Sequence, residues 1–225
     1  MRILEKQQYH LLFLVVFAGL FLLILPSGNF LAGNLFGIST LSWFILSIAI
    51  SVTHQVYVLI CWRIQLKLNW ITRNFGEKGF KLYVRGFLIL FFSRILSVVF
   101  LGISNQNSMG LNRTFLLIVA AITSVPMFYL FYSVLRYFGI HRAAGADHFD
   151  PAYHDMPRET RGMYRYVKNG MYIFGFLIMW QPGLIFASES ALLVALFNHI
   201  YIWVHYFTLE VPDMQKIYGE QETDN

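Results

Sequence analysis

The chain has 225 residues, of which 57% are hydrophobic and 13% charged. Soluble domains carry about 25% charged and about 45–50% apolar residues, so a single soluble core cannot absorb this apolar surplus and the composition points to a bilayer as solvent. Disordered, collagen-like and disulfide-framework classes are excluded, and with Cys61 as the only cysteine no intrachain disulfide can form. The net charge of +5 does not argue for a nucleic-acid partner, because in a membrane chain the placing of charges matters more than their sum.

A spanning helix needs about 20 mostly apolar residues. Six segments qualify or nearly so: Tyr9–Leu25, Ser39–Trp62, Gly86–Ile103, Phe115–Phe138, Met171–Ala187 and Ser190–Thr208. They predict an all-α polytopic membrane helical bundle of about six transmembrane helices. Pro26-Ser27-Gly28 closes the first segment with a turn. It offers no small-x-small cleavage site, and Glu5 lies in the charged stretch before the segment, so a retained span is expected rather than a cleaved leader. Pro126 and Pro182 are expected to kink the fourth and fifth spans. Only Ser188-Glu189 separates the last two, which must form a tight C-terminal helical hairpin.

Basic residues give the orientation. Arg2 and Lys6 precede the first span, six Lys or Arg lie between Arg63 and Arg85, six between Arg136 and Lys168, and Lys216 lies in the tail. Arg113 alone occupies an opposite loop and Arg94 lies within a span. Both termini and both long loops are therefore expected to be cytoplasmic. Residues 1–219 read as a single transmembrane domain and 220–225 as a frayed acidic tail. Asn69–Phe80 reads either as an interfacial amphipathic stretch, with Trp70, Ile71 and Phe75 facing lipid, or as a solvated loop.

Ionisable groups inside a bilayer are costly and are functional candidates. Arg94 needs a carboxylate, a carbonyl or water; His54 lies deep in the second span. In the last span, His199, Trp203, Tyr206 and Glu210 share one helical face, and Asn198, Tyr201, His205 and Thr208 share another. Two such faces predict a helix buried in protein or lining a cavity. No metal site is expected: the loop histidines His141, His148 and His154 are poorly spaced as ligands and read as solvated. A b-type haem held by His54 with His199 or His205 is the alternative from a different functional class.

The loop before the fifth span reads Gly162-Met163-Tyr164-Arg165-Tyr166-Val167-Lys168-Asn169-Gly170-Met171-Tyr172, and the last span runs into Glu210-Val211-Pro212-Asp213-Met214-Gln215-Lys216-Ile217-Tyr218-Gly219. This resembles the integral-membrane methyltransferase superfamily of isoprenylcysteine carboxyl methyltransferases and phospholipid N-methyltransferases. Its pattern is G-x-Y-R-x-x-R-H-P-x-Y, a helical hairpin, then E-E-x-x-L-x-x-x-(F/Y)-G. Gly162, Tyr164, Arg165, Tyr172, Glu210 and Gly219 match, Lys168 stands for an Arg and Met214 for the Leu. Pro212 and Tyr218-Gly219 look like the phospholipid branch, which favours E-E-P-H-L before Y-G. The departures are Asn169-Gly170 for His-Pro and Val211 for the second Glu.

The resemblance implies S-adenosylmethionine as cofactor, bound within about 162–219, and a lipid or lipidated acceptor reaching a site at the cytoplasmic leaflet of the bilayer. It implies a cofactor site built from Tyr164, Arg165, Lys168, Asn169, Gly170, Tyr172, Trp203, Tyr206 and Glu210. Rings of Tyr164, Tyr166, Tyr172, Trp203 and Tyr206 suit a sulfonium cation. Glu210 suits the cofactor's ammonium, and Arg165 or Lys168 its carboxylate. His205 or His199 is the candidate base for an amine acceptor. A phospholipid amine headgroup is the first acceptor to consider. An isoprenylcysteine carboxyl, a small thiol, or a non-catalytic relic of the fold are the alternatives.

Overall fold

The computed structural model describes residues 3–24, 30–157 and 159–219. The turn expected at Pro26-Ser27-Gly28, Arg158 and the acidic tail lie outside them. The regular structure of the described residues is helical apart from a short antiparallel pair, β1 (Asn34–Leu35) with β2 (Ile38–Ser39).

Helix α1 (Gln8–Ile24) is followed by α2 (Thr40–Leu68), whose first turn is capped by the Ser39 hydroxyl accepting from the Ser42 amide. Asn69, in the left-handed region at φ 50°, ends α2 and turns the chain into the short α3 (Trp70–Phe75). Asn tolerates that conformation better than most side chains. Next come α4 (Lys78–Ser104) and α5 (Arg113–Ser133), the latter continuing as a π-helical turn, Val134–Phe138. A loop with the short α6 (Ile140–Ala143) leads to a second π turn, Met171–Gly175, and α7 (Leu177–Ile185). Finally α8 (Glu189–His205), a third π turn (Tyr206–Glu210) and α9 (Val211–Tyr218) form one continuous rod.

Four helical runs are long and apolar enough to cross a membrane: Thr40–Leu68, Lys78–Ser104, Arg113–Phe138 and Glu189–Tyr218. The other two expected spans correspond to shorter apolar helices, Gln8–Leu23 and Met171–Ile185. Both prolines lie inside helices, Pro126 in α5 and Pro182 in α7. Ile71 does not face outward as the amphipathic reading supposed: it is buried against Gly79 and the Val58 and Tyr83 side chains, while Trp70 and Phe75 stay exposed.

The bundle is stapled at both ends. At one end Asn105, buried after α4, accepts at Oδ1 from the Ser188 and Ser190 hydroxyls and donates from Nδ2 to the Ala32 carbonyl at 2.8 Å. At the other, Arg63 of α2 and Asp213 of α9 are both buried, with Nε 2.9 Å from Oδ1. Arg63 Nη2 also donates to the Thr208 carbonyl, as does Gln7 from the foot of α1. These contacts bring Gln7, the end of α2 and the start of α9 to one end of the bundle.

Removing one partner of a buried ion pair strands a charge and costs about 3–5 kcal/mol. Asp213→Ala is expected to lower thermal stability in detergent by that order, and Arg63→Met with Asp213→Leu to recover most of it. An Asp213→Ala protein melting with the parent would show that the pair carries no such role.

Candidate active site

The resemblance motif begins on a strained turn. Gly162 has φ +60°, and a Cβ there would lie 2.5 Å from the Ser133 hydroxyl. That hydroxyl donates to the Tyr129 carbonyl and accepts from the Met163 amide at 2.9 Å. Glycine is required on both counts. Just upstream, Glu159 accepts from Arg161 Nε and Nη2, each at 2.8 Å, and the guanidinium lies over the Tyr137 ring. Hydrogen bonding to Arg161 holds the Glu159 carboxyl down at about 2. Tyr164 stacks on Phe138 with centroids 5.0 Å apart. Its hydroxyl is buried without a hydrogen-bond partner, and burial pushes its pKa up.

The ends of the last two long helices meet in a ring cluster. Tyr172, in the π turn before α7, lies 5.7 Å from Trp203 and 5.0 Å from Tyr206, centroid to centroid. Trp203 and Tyr206 meet edge to face at 5.5 Å. Asn169 Nδ2 donates to the Tyr206 hydroxyl at 3.3 Å. Glu210 ends the π turn that Tyr206 begins, partly buried and in no ion pair with a described residue. Arg165 and Lys168 are exposed. Tyr166 is 70% exposed and does not join the rings. All three π turns stand at this end of their helices, and π turns often occur at functional sites; the sequence reading has no signal for them.

Gly170 has φ −55°, so it is not needed for a left-handed backbone. It allows close approach: a Cβ there would lie 3.1 Å from Leu130 Cδ1 and 3.3 Å from Met163 Cγ, tight against two flexible side chains.

The two histidines diverge as the two-face reading predicts. His199 accepts at Nδ1 from Trp180 Nε1 at 3.0 Å and lies on the ring-cluster side of α8. His205 is buried on the other side, 5.7 Å from Trp62 and 6.3 Å from His10, so it faces α1 and α2 rather than the rings. His54 packs on Phe87. Thus His54, His199 and His205 each face a different aromatic neighbour. Arg94 donates from Nε to Asn198 Oδ1, which also accepts from Ser51, and its guanidinium lies 5.1 Å from the Phe176 centroid. Its partners are an amide and a ring, not a carboxylate.

His148 is a correction to the solvated-loop reading. It is buried, stacked on Trp62 at 4.1 Å, with Nε2 3.4 Å from Asp213 Oδ2. The signal was present in the small-residue run Ala143-Ala144-Gly145-Ala146, which lets the loop pack down. Gly145, at φ +85°, lies so close to the Trp62 ring that a Cβ would clash. His154 bonds the Asp147 carbonyl at 2.8 Å, and Asp147 accepts from the Tyr218 hydroxyl at 2.7 Å.

The tight packing at Gly170 makes a coupling experiment. Gly170→Ala is expected to lower the melting temperature in the parent and to cost little in a Leu130→Ala background. Equal losses in both backgrounds would show that Leu130 does not set the glycine.

Residues 115–221 match the phospholipid methyltransferase family model. No curated protein and no solved structure gives a significant match. The matched stretch contains α5, the Gly162 turn, the hairpin and the ring cluster, so it extends the resemblance read from 162–219 upstream by one helix. The matched stretch and the ring cluster fall in the same region, and residues 115–221 are similar to the phospholipid methyltransferase family, in line with the resemblance to the integral-membrane methyltransferase superfamily.

Proposed function

We propose that the protein transfers a methyl group from S-adenosylmethionine to the amine headgroup of a membrane phospholipid, at the end of the bundle where Tyr172, Trp203 and Tyr206 meet. The observation that carries this reading is that ring cluster, with Asn169 bonded to Tyr206 and the unpaired Glu210 one turn on. The partnerless, buried Tyr164 hydroxyl fits the same group, since a buried polar atom without a partner leaves a hydrogen bond for a ligand to complete.

Bound there, the cofactor supplies an electrophilic methyl on a sulfonium. The chain's part is alignment, desolvation and control of protonation. The faces of Tyr172, Trp203 and Tyr206 suit the cation at about 0.5–2 kcal/mol per contact. Glu210 takes the ammonium of the cofactor's amino-acid end, and Arg165 or Lys168, exposed at the mouth, its carboxylate. Asn169 holds Tyr206 in place. An amine acceptor must lose a proton, and His199, on the ring-cluster face, takes it directly or through water. His205 is turned toward α1 and α2, away from the rings. The positive-inside rule puts this basic end in the cytoplasm, where a soluble cofactor meets an acceptor held by the bilayer.

Residues 169–170 favour a second reading. Asn-Gly replaces the His-Pro of the pattern, which motivates a non-catalytic relic of the fold.

Expression in a host that lacks methylated phospholipids decides between them. New mono-, di- or trimethylated ethanolamine lipids are expected; no label passing from radiolabelled S-adenosylmethionine into any lipid would favour the relic. For the cofactor site, Glu210→Ala is expected to weaken S-adenosylhomocysteine binding in detergent about tenfold, the scale of one charge-assisted contact. Unchanged binding would remove Glu210 from the site.

A further inference from the structure

A cavity of about 450 Å³ opens between the start of α4 and the loop after α6. It shares no lining residue with the ring cluster, and its size is that of a small-ligand pocket. Phe80 and Phe149 line it with centroids 5.1 Å apart, and His141 meets Phe80 edge-on at 5.5 Å. Tyr153 stands on its wall. Glu77 and Asp150 form an exposed rim, and neither joins an ion pair with a described residue. Asp150 spends one oxygen on the Ala152 amide.

The sign of charge is out of keeping with its surroundings. This end of the bundle carries nearly all the basic residues, yet the cavity's formal charges are two carboxylates. Aromatic faces beneath carboxylates are what recognises an ammonium group, and they repel an anion. The cavity also stands beside α3, whose Trp70 and Phe75 are 49% and 47% exposed, as rings at a headgroup layer are. Arg73 and Lys78, exposed and flanking Glu77 in sequence, supply positive charge for a phosphate next to that ammonium.

We propose that the cavity between α4 and the loop 141–153 binds the ammonium of a zwitterionic membrane lipid headgroup, at a site separate from the proposed methyl-transfer centre. The inference stands on this cavity alone and does not need the methyl-transfer reading.

The full chain in nanodiscs of phosphatidylglycerol tests it, with glycerophosphocholine as a soluble headgroup probe and saturation-transfer NMR on its trimethylammonium protons. Transfer is expected, at least fivefold weaker in affinity for Glu77→Gln with Asp150→Asn, and weaker also for Phe80→Leu. Melting temperature should hold for Glu77→Gln with Asp150→Asn, and S-adenosylhomocysteine binding in both variants. Glycerol 3-phosphate, which lacks the ammonium, should not bind there. Replacing the disc lipid by phosphatidylcholine should abolish probe binding, since bilayer lipid then fills the cavity. Probe binding unaltered by the Glu77/Asp150 change, or absent altogether, overturns the site. Choline chloride binding as tightly as the probe, untouched by disc phosphatidylcholine, would make the ligand a soluble cation and overturn its assignment to lipid.

Discussion

The charge pair between Arg63 and Asp213 constrains everything at the basic end of this bundle. An isolated charge inside a membrane protein is expensive, and a partner reduces that cost only where geometry holds the two together. Here the pair joins α2 to the last helix, with both side chains fully buried. Arg63 spends a further donor on the Thr208 carbonyl, and His10 bonds the Thr208 hydroxyl at 2.8 Å. One residue of the third π turn is thus held from α1 and α2 together. Glu210 lies two residues further along, so its position follows from the same anchor. His148, against Asp213 and Trp62, ties the long loop to that point as well.

The far end of the bundle sets the register of the rings. Ser188 caps α8 by accepting from the Ala191 amide, and its own amide donates to the Gly183 carbonyl at 2.9 Å. A Cβ on Gly183 would run into Leu192, so the glycine is what allows the two helices to approach so closely. Tyr172 and Trp203 stand equally far in sequence from Ala187 and Ser188. An antiparallel hairpin with equal rise in both arms must bring such residues level. The contact between Tyr172 and Trp203 is therefore a consequence of the turn and the glycine.

Composition and hydropathy were enough to read the helical segments, the hairpin and the gathering of basic residues. Spacing alone separated the His199 face of α8 from the His205 face. What escaped was of two kinds. The π turns at 134–138, 171–175 and 206–210 leave no mark on apolar periodicity, because each inserts only a local slip in the hydrogen-bond ladder. The loop after α5 looked solvated because it is polar, yet His148 and Asp147 are buried through pairing with residues some 65 to 70 positions away. Such pairs are invisible to any local pattern. Arg94 was visible as a buried cation, but its partner, an amide and not a carboxylate, depended on which helices pack together, and segment order does not fix that in a membrane.

The departures from the superfamily pattern take on meaning from packing. If Asn169-Gly170 were the residue of a decaying site, its neighbours would have no reason to fit it. Instead Leu130 and Met163 come within 3.1 and 3.3 Å of where a Cβ at 170 would lie, and the Asn169 amide reaches across to the Tyr206 hydroxyl, which a shorter side chain would not. Asp213, in the second half of the motif, meets Arg63 on one oxygen and has a histidine, His148, near the other. Positions 169, 170 and 213 thus each meet specific neighbours, as the proposed methyl-transfer reading requires of its site.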